Sequence, residues 1–286
     1  MQNTINANGL TLPILGQGGW FMGDSPDKAG AEAQALRTGV SLGLTLIDTA
    51  EIYGNGRSEA LVGRAVRELP RDTFQLVSKV HPENAGREHI FQSCAASLKR
   101  LQTDYLDLYL LHWRGNVPLE ETVACMEELV ARGKIRRWGV SNFDVEDMQE
   151  LLQTPGGENC AVDQVLYHLG SRGIEYALLP LLAQRGIGVM AYCPLAQAGA
   201  VARTGRGLLR HPLLEQTAAA YGATVAQILL AFLWRRPGVM AIPKAASVEH
   251  VRENAAARSL QLSEEDWARL DAAFPAPDRR VPLDVE

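Results

Sequence analysis

The chain has 286 residues, 47 % of them hydrophobic and 21 % charged, with a formal net charge of −5 at pH 7. Those proportions suit an ordinary globular protein, and with no Lys/Arg-rich block or basic stripe carrying interleaved aromatics they argue against nucleic acid as a partner. No apolar run approaches the ~20 residues of a membrane span, the opening MQNTINANGL lacks the pattern of an export signal, and four widely spaced cysteines (Cys94, Cys125, Cys160, Cys193) without a C-x-x-C suit free thiols in a reducing cytoplasm.

A hairpin is expected over residues 4–12, turning at Asn8-Gly9. Short apolar runs then alternate with helical patterns. Strands are expected at 15–19, 45–48, 74–79, 106–112, 137–141, 161–164, 188–192 and 239–244, and the run 42–46 reads as buried strand leading into the second of these. Between them, 87–101 places Ile90, Phe91, Cys94, Leu98 and Leu101 on one helical face. Residues 118–131 begin with proline and acids and stop at Gly133. The spans 173–185 (Ile174, Ala177, Leu178, Leu181, Leu182) and 224–235 (Val225, Ile228, Leu229, Phe232, Leu233) show the same spacing of three and four.

Strands that alternate with helices pair in parallel through crossover helices. Their even spacing, with no proline- or serine-rich linker, makes one closed (β/α)₈ TIM barrel over residues 1–286 the economical reading, against a doubly wound open sheet. The segment 194–212, rich in glycine, alanine and arginine, follows a strand's C-terminal end and reads as an active-site loop.

In a barrel, catalytic groups come from the C-terminal ends of different strands. Here those ends carry Asp48, with Tyr53 in the following loop, then Lys79, His112, Ser141 with Asn142, Gln164, Tyr192 and Lys244. Any one of them alone is more simply a solvated or packed residue; seven consecutive strand ends bearing hydrogen-bonding groups are hard to attribute to chance. A free phenol has a pKa of about 10, and an adjacent ammonium is expected to lower it. Asp48, Lys79 and Tyr53 therefore read as a tuned general acid, with neutral His112 able to donate a hydrogen bond to a carbonyl oxygen. No Ser or Cys stands where a base would activate it, so the attacking group should be a hydride from a cofactor.

The stretches LTLIDTAEIYGN, LVSKV, DYLDLYLLHW, GKIRRWGVSNF, AYCPLA and IPKA, in this order and across nearly the whole chain, resemble the aldo-keto reductases; LGSRGIEY, YCPLAQAG and MAIPKAAS are similar to bacterial members that act on methylglyoxal. The resemblance implies a catalytic tetrad of Asp48, Tyr53, Lys79 and His112 and an NADPH extended across the barrel mouth. Ser141, Asn142 and Gln164 would hold its carboxamide, Tyr192 would stack on the nicotinamide, and Leu195 would lie by the pyrophosphate. Lys244, Ser247 and His250 would meet the 2′-phosphate, with Glu253 and Asn254 at the adenine. Departures from the family pattern are Cys193 and Ala245 where serines are common, and His250 where an arginine is common; Lys244 is the main reason to expect NADPH. The implied activity is reduction of small, methylglyoxal-like aldehydes or ketones by a monomer, with alcohol oxidation on the same site, or an NADPH-binding regulatory module, as alternatives.

GQGGWF at Gly16 opens like a dinucleotide fingerprint but lacks the third glycine and leads into no helix. It reads as a tight strand exit that presents Trp20 to the substrate pocket, and Trp113, which follows His112, is expected to wall the same pocket. The six histidines form no H-x-H or H-E-x-x-H, so no metal is expected. The tail PAPDRRVPLDVE is short and polar, which favours small substrates.

Overall fold

The computed structural model describes residues 3–196 and 207–285. Strands β1 (Thr4–Ala7) and β2 (Leu10–Pro13) form the expected antiparallel hairpin. Eight parallel strands follow: β3 (Gln17–Gly18), β4 (Leu46–Asp48), β5 (Gln75–Val80), β6 (Leu106–Leu111), β7 (Ile135–Ser141), β8 (Val162–Leu166), β9 (Gly188–Tyr192) and β10 (Val239–Ala241). Each pairs with the next in chain order. The sheet closes on itself where Leu15 bridges Ala241: Gly16 N donates to Ala241 O at 2.8 Å and Ala241 N to Ile14 O at 2.9 Å. The fold is therefore the (β/α)₈ barrel, and the open-sheet alternative falls away.

Most strand residues are buried on both faces, as a barrel requires; β6 and β8 have every residue buried, while β7 exposes Arg136 and Arg137 near its start. The hairpin plugs the N-terminal end. Asn8 N donates to Gly186 O at 2.8 Å, just before β9, and Gln75 Nε2, at the start of β5, donates to Thr11 O at 2.9 Å. The opposite mouth is left for the site.

Helices α1 (Pro26–Ser41), α2 (Arg57–Val66), α3 (Ile90–Leu101), α4 (Leu119–Ala131), α5 (Val145–Gln153), α6 (Leu178–Gln184), α7 (Pro212–Ala220), α8 (Val225–Leu233), α9 (Val248–Ala256) and α10 (Glu264–Ala273) surround the strands. On α3 the buried positions Ile90, Cys94, Leu98 and Leu101 form the expected stripe. Full burial of a leucine or isoleucine contributes about 1.5–3 kcal/mol, so such stripes dock a helix whose own propensity is marginal. Capping boxes start α5 (Asp144 with Asp147) and α8 (Thr224 with Gln227).

Boundaries moved where backbone chemistry intervened. Residues 42–44 are not strand: Leu42 caps α1 and Gly43 turns in the left-handed region at φ 84°. The span 173–185 divides into a single 3-10 turn, Gly173–Glu175, and α6, because Ala177 leaves helical geometry at φ −135°. The last strand ends at Ala241 rather than at residue 244, since Pro243 has no N–H to continue a ladder. Of the segment 194–212, residues 197–206 lie outside the described residues.

Candidate active site

The exits of β4, β5 and β6 bring the expected tetrad together. Lys79, fully buried at the end of β5, donates from Nζ to Asp48 Oδ2 at 2.7 Å, to Thr49 O at 2.9 Å and to Tyr53 Oη at 3.2 Å. An ammonium has three protons and accepts nothing, so these three bonds satisfy it. With Lys79 as the donor, Tyr53 Oη is the acceptor in this bond, and its own proton remains available for another acceptor. Asp48 is held from the other side by Gln164, whose Nε2 donates to Oδ1 at 2.8 Å. His112, at the exit of β6, stands edge-on to Tyr53 with ring centroids 5.7 Å apart.

Electrostatics depart from the sequence expectation at one point. Lys79 does not bring the phenol below its ordinary range. Burial, then the charges of Asp48 and Cys193, hold Tyr53 well above it. Burial also lowers Lys79, against the opposing pull of Asp48 and Glu59. Desolvation disfavours whichever form is charged, and here it raises the phenol despite the neighbouring ammonium. The result is a phenol that keeps its proton at neutral pH. His112 is pushed down to about 2, by burial first and then by Lys79 and His81, so it is neutral as expected.

A second group lies along the mouth. Ser141 Oγ donates to Gln164 O at 2.8 Å, Asn142 Nδ2 donates to His112 O at 3.3 Å and Ser141 Oγ at 3.2 Å, and Tyr192 Oη donates to Asn142 Oδ1 at 2.8 Å. Asn142 turns through the left-handed region at φ 59°, a conformation its short amide tolerates. These four residues and the tetrad's Asp48, Tyr53 and His112 line one cavity of about 790 Å³, with Trp20, Phe21, Asp24, Ile52, Trp113, Cys193, Pro194 and Lys244. A larger groove of about 1040 Å³, between residues 169–173 and the tail, contains none of the tetrad; its buried Arg172 is already bound to Glu175 and Asp271.

The remaining candidates are less gathered. Leu195 is buried, just before the undescribed segment. Lys244 is exposed at the cavity's edge, and no carboxylate among the described residues pairs with it. Ser247 caps α9 by accepting from His250 N at 3.3 Å, and the His250 side chain is exposed. Glu253 accepts from Thr224 Oγ1 at 2.5 Å, and Asn254 is buried. Trp20 stacks on Phe21 at 4.5 Å and sits 6.4 Å from Tyr53, while Trp113 lies between the rings of His81 and His112, 4.9 Å from each. The glycines before Trp20 serve close packing: a Cβ at Gly18 would stand 2.7 Å from Ile242 O, and one at Gly19 2.8 Å from Asp48 O. Sequence reasoning missed Phe21, Ile52 and the Asp24–Arg57 ion pair at the rim (2.7 Å), which only the tertiary fold brings to the mouth. Among the described residues no cluster suitable for a metal exists.

A (β/α)₈ barrel with Asp, Lys, Tyr and His converging at one mouth defines a carbonyl-oxidoreductase type of site. The family comparison agrees: residues 14–274 match the aldo/keto reductase family, and the chain belongs to it. It is 54 % identical to methylglyoxal reductase YeaE of Escherichia coli over 285 residues, 99 % of each chain. Among solved structures it resembles an aldo/keto reductase from Klebsiella pneumoniae in complex with NADP and acetate (TM-score 0.96, 54 % identity, all of both chains). A second Klebsiella pneumoniae structure, in complex with NADPH, gives TM-score 0.95 at 55 % identity over all of both chains.

Proposed function

We propose that the chain, residues 1–286 acting as one barrel domain, reduces small aldehydes or ketones of the methylglyoxal kind, with NADPH as reductant and Tyr53 as general acid. The observation that carries this reading is the Asp48–Lys79–Tyr53 relay, built on the fully buried Lys79, whose phenol lines the same cavity as neutral His112. The donor set fits the cofactor. Amide and hydroxyl groups of Ser141, Asn142 and Gln164 match a carboxamide, the Tyr192 ring offers a stacking face, and the exposed Lys244 ammonium suits a phosphate. Leu195, Ser247, His250, Glu253 and Asn254 are assigned to the rest of the nucleotide.

When bound, NADPH supplies the hydride. The chain's own groups do the remainder. His112, uncharged, donates a hydrogen bond that orients and polarises the substrate carbonyl. Tyr53 gives its proton to the carbonyl oxygen as negative charge develops there. Lys79 stabilises the phenolate left behind, and Asp48, itself braced by Gln164, holds Lys79 in place. Trp20 and Trp113 wall the substrate and exclude water. A cytoplasmic monomer is the setting we assign; no single helix among the described residues is long and apolar enough to cross a membrane.

The test is loss of NADPH absorbance on adding methylglyoxal to purified protein, repeated with NADH and a panel of small carbonyls. Saturable turnover with NADPH supports the reading. Tight NADPH binding without turnover of any carbonyl would point instead to a regulatory module.

A further inference from the structure

The stretch that carries Asp48 and Tyr53 continues into Arg57, Ser58 and Glu59, the first turn of α2. Ser58 and Glu59 are both fully buried, which is unusual for a glutamate. Each is bonded to the neighbour of a tetrad residue. Ser58 Oγ accepts from Thr49 Oγ1 and donates to Gly19 O, both at 2.8 Å. Thr49 follows Asp48, and its carbonyl is one of the three acceptors of Lys79. Glu59 Oε1 accepts from Ser78 Oγ at 2.6 Å, and Ser78 precedes Lys79. Glu59 Oε2 accepts from Arg100 Nε of α3 at 2.5 Å. The Arg100 chain passes beneath the turn that follows Tyr53, where a Cβ at Gly56 would stand 2.6 Å from Arg100 Cδ.

We propose that Ser58 and Glu59 are positioning residues for the proton-transfer relay, with Glu59 fixing Lys79 through Ser78. The claim rests on the reading of Lys79 and Tyr53 given above. One short helical turn follows the Tyr53 loop directly and grips both strands that supply the other members. Tyr53, Asp48 and Lys79 are thereby triangulated from a single rigid element behind the mouth. No group of the pair touches the cavity, so neither can contact substrate or cofactor.

The electrostatic part follows from what surrounds each group. Lys79 faces Asp48 from β4, Tyr53 from the loop, His112 from β6 and, more distantly, Glu59 from α2. Glu59 faces Lys79 from β5, Arg100 and Cys94 from α3, and Tyr109 from β6. Burial pulls Lys79 toward neutrality, and Glu59 is a second carboxylate opposing it. Removing the Glu59 charge should therefore let Lys79 lose its proton at lower pH.

The experiment compares wild type with Glu59→Gln, Ser78→Ala and the double variant Glu59→Gln/Arg100→Met, reading kcat, KM and NADPH affinity across pH 5–10. Wild type is assayed first with methylglyoxal and NADPH; an inactive wild type overturns the functional reading, not this one. In Glu59→Gln, kcat should fall about tenfold, as expected for a small displacement of reacting groups. NADPH affinity should stay within about twofold, the cavity lining being intact. The alkaline limb of kcat should move to lower pH. The double variant, which strands no arginine, should show the same shift. Ser78→Ala buries no new charge; it should lower kcat without moving the limb, and it tests the positioning claim independently should either glutamate variant fold poorly. A folded Glu59→Gln or double variant with a wild-type kcat and pH profile, or Ser78→Ala with unchanged kcat, overturns the proposal.

Discussion

Replacing Lys79 by Met separates the relay's structural and chemical roles. The substitution removes three hydrogen bonds, to Asp48, Thr49 O and Tyr53, and leaves Asp48 buried with Gln164 as its one side-chain donor among the described residues. Breaking a buried ion pair from one side costs about 3–5 kcal/mol. For a chain of this size about 2–3 °C of Tm follows each kcal/mol, so Tm should drop by roughly 6–15 °C. Turnover should fall by about 10²–10⁴-fold, since the phenol loses the cation that stabilises its deprotonated form. Adding Asp48→Asn should restore much of the lost stability, because no charge is then stranded, but should restore none of the turnover. Scanning calorimetry with NADPH-coupled kinetics on the single and double variants measures both quantities. A Lys79→Met protein with wild-type Tm and kcat would show that the ammonium serves neither role, and recovery of activity in the double variant would remove it from the chemistry.

Two further outcomes follow from the same geometry. His112 is held down to about 2 in the folded chain, against about 6.5 unfolded, so the unfolded state binds the extra proton first. Its contribution therefore costs stability as pH falls below about 6.5, by up to about 1.4 kcal/mol per pH unit, and His112→Gln should flatten the fall in Tm between pH 6.5 and 4.5; an unchanged slope would mean that other groups carry it. His250 is exposed at the first turn of α9, and an arginine there could grip a phosphate bidentately, so His250→Arg should tighten NADPH by about 1–2 kcal/mol and leave NADH unaffected when both are titrated by fluorescence.

Much of the barrel was legible because its strands are short apolar runs that end in polar residues, and the helices between them carry clear stripes such as Ile90, Cys94, Leu98 and Leu101. The convergence of Asp48, Tyr53, Lys79 and His112 was legible on similar grounds: a charged or phenolic residue at or just beyond the exit of a core strand is costly to bury unless a partner meets it there. What lay beyond the sequence was depth. Lys79 and Tyr53 were expected to tune each other as in water, whereas their burial reverses the direction for the phenol. Gln164 was assigned to a cofactor, and the structure shows its amide bracing Asp48. Ser58 and Glu59 were passed over, because a glutamate in the first turn of a helix is normally solvated. A signal was present: Glu59 shares a face with Val62, Gly63 and Val66, all buried, so its position on the inner stripe of α2 marked it as a paired carboxylate. The break at Ala177 and the turn at Gly43 had weaker signals, since apolar periodicity ran through both.

The proposed chemistry turns on Tyr53 as the source of the proton. Tyr53→Phe removes one oxygen from a cavity otherwise unchanged, and the decisive measurement is single-turnover reduction of methylglyoxal by the NADPH complex of this variant. NADPH affinity should remain near wild type, and the chemical step should slow by about 10²–10⁴-fold. A variant that binds NADPH normally and reduces the substrate at close to the wild-type rate would take the phenol out of the mechanism.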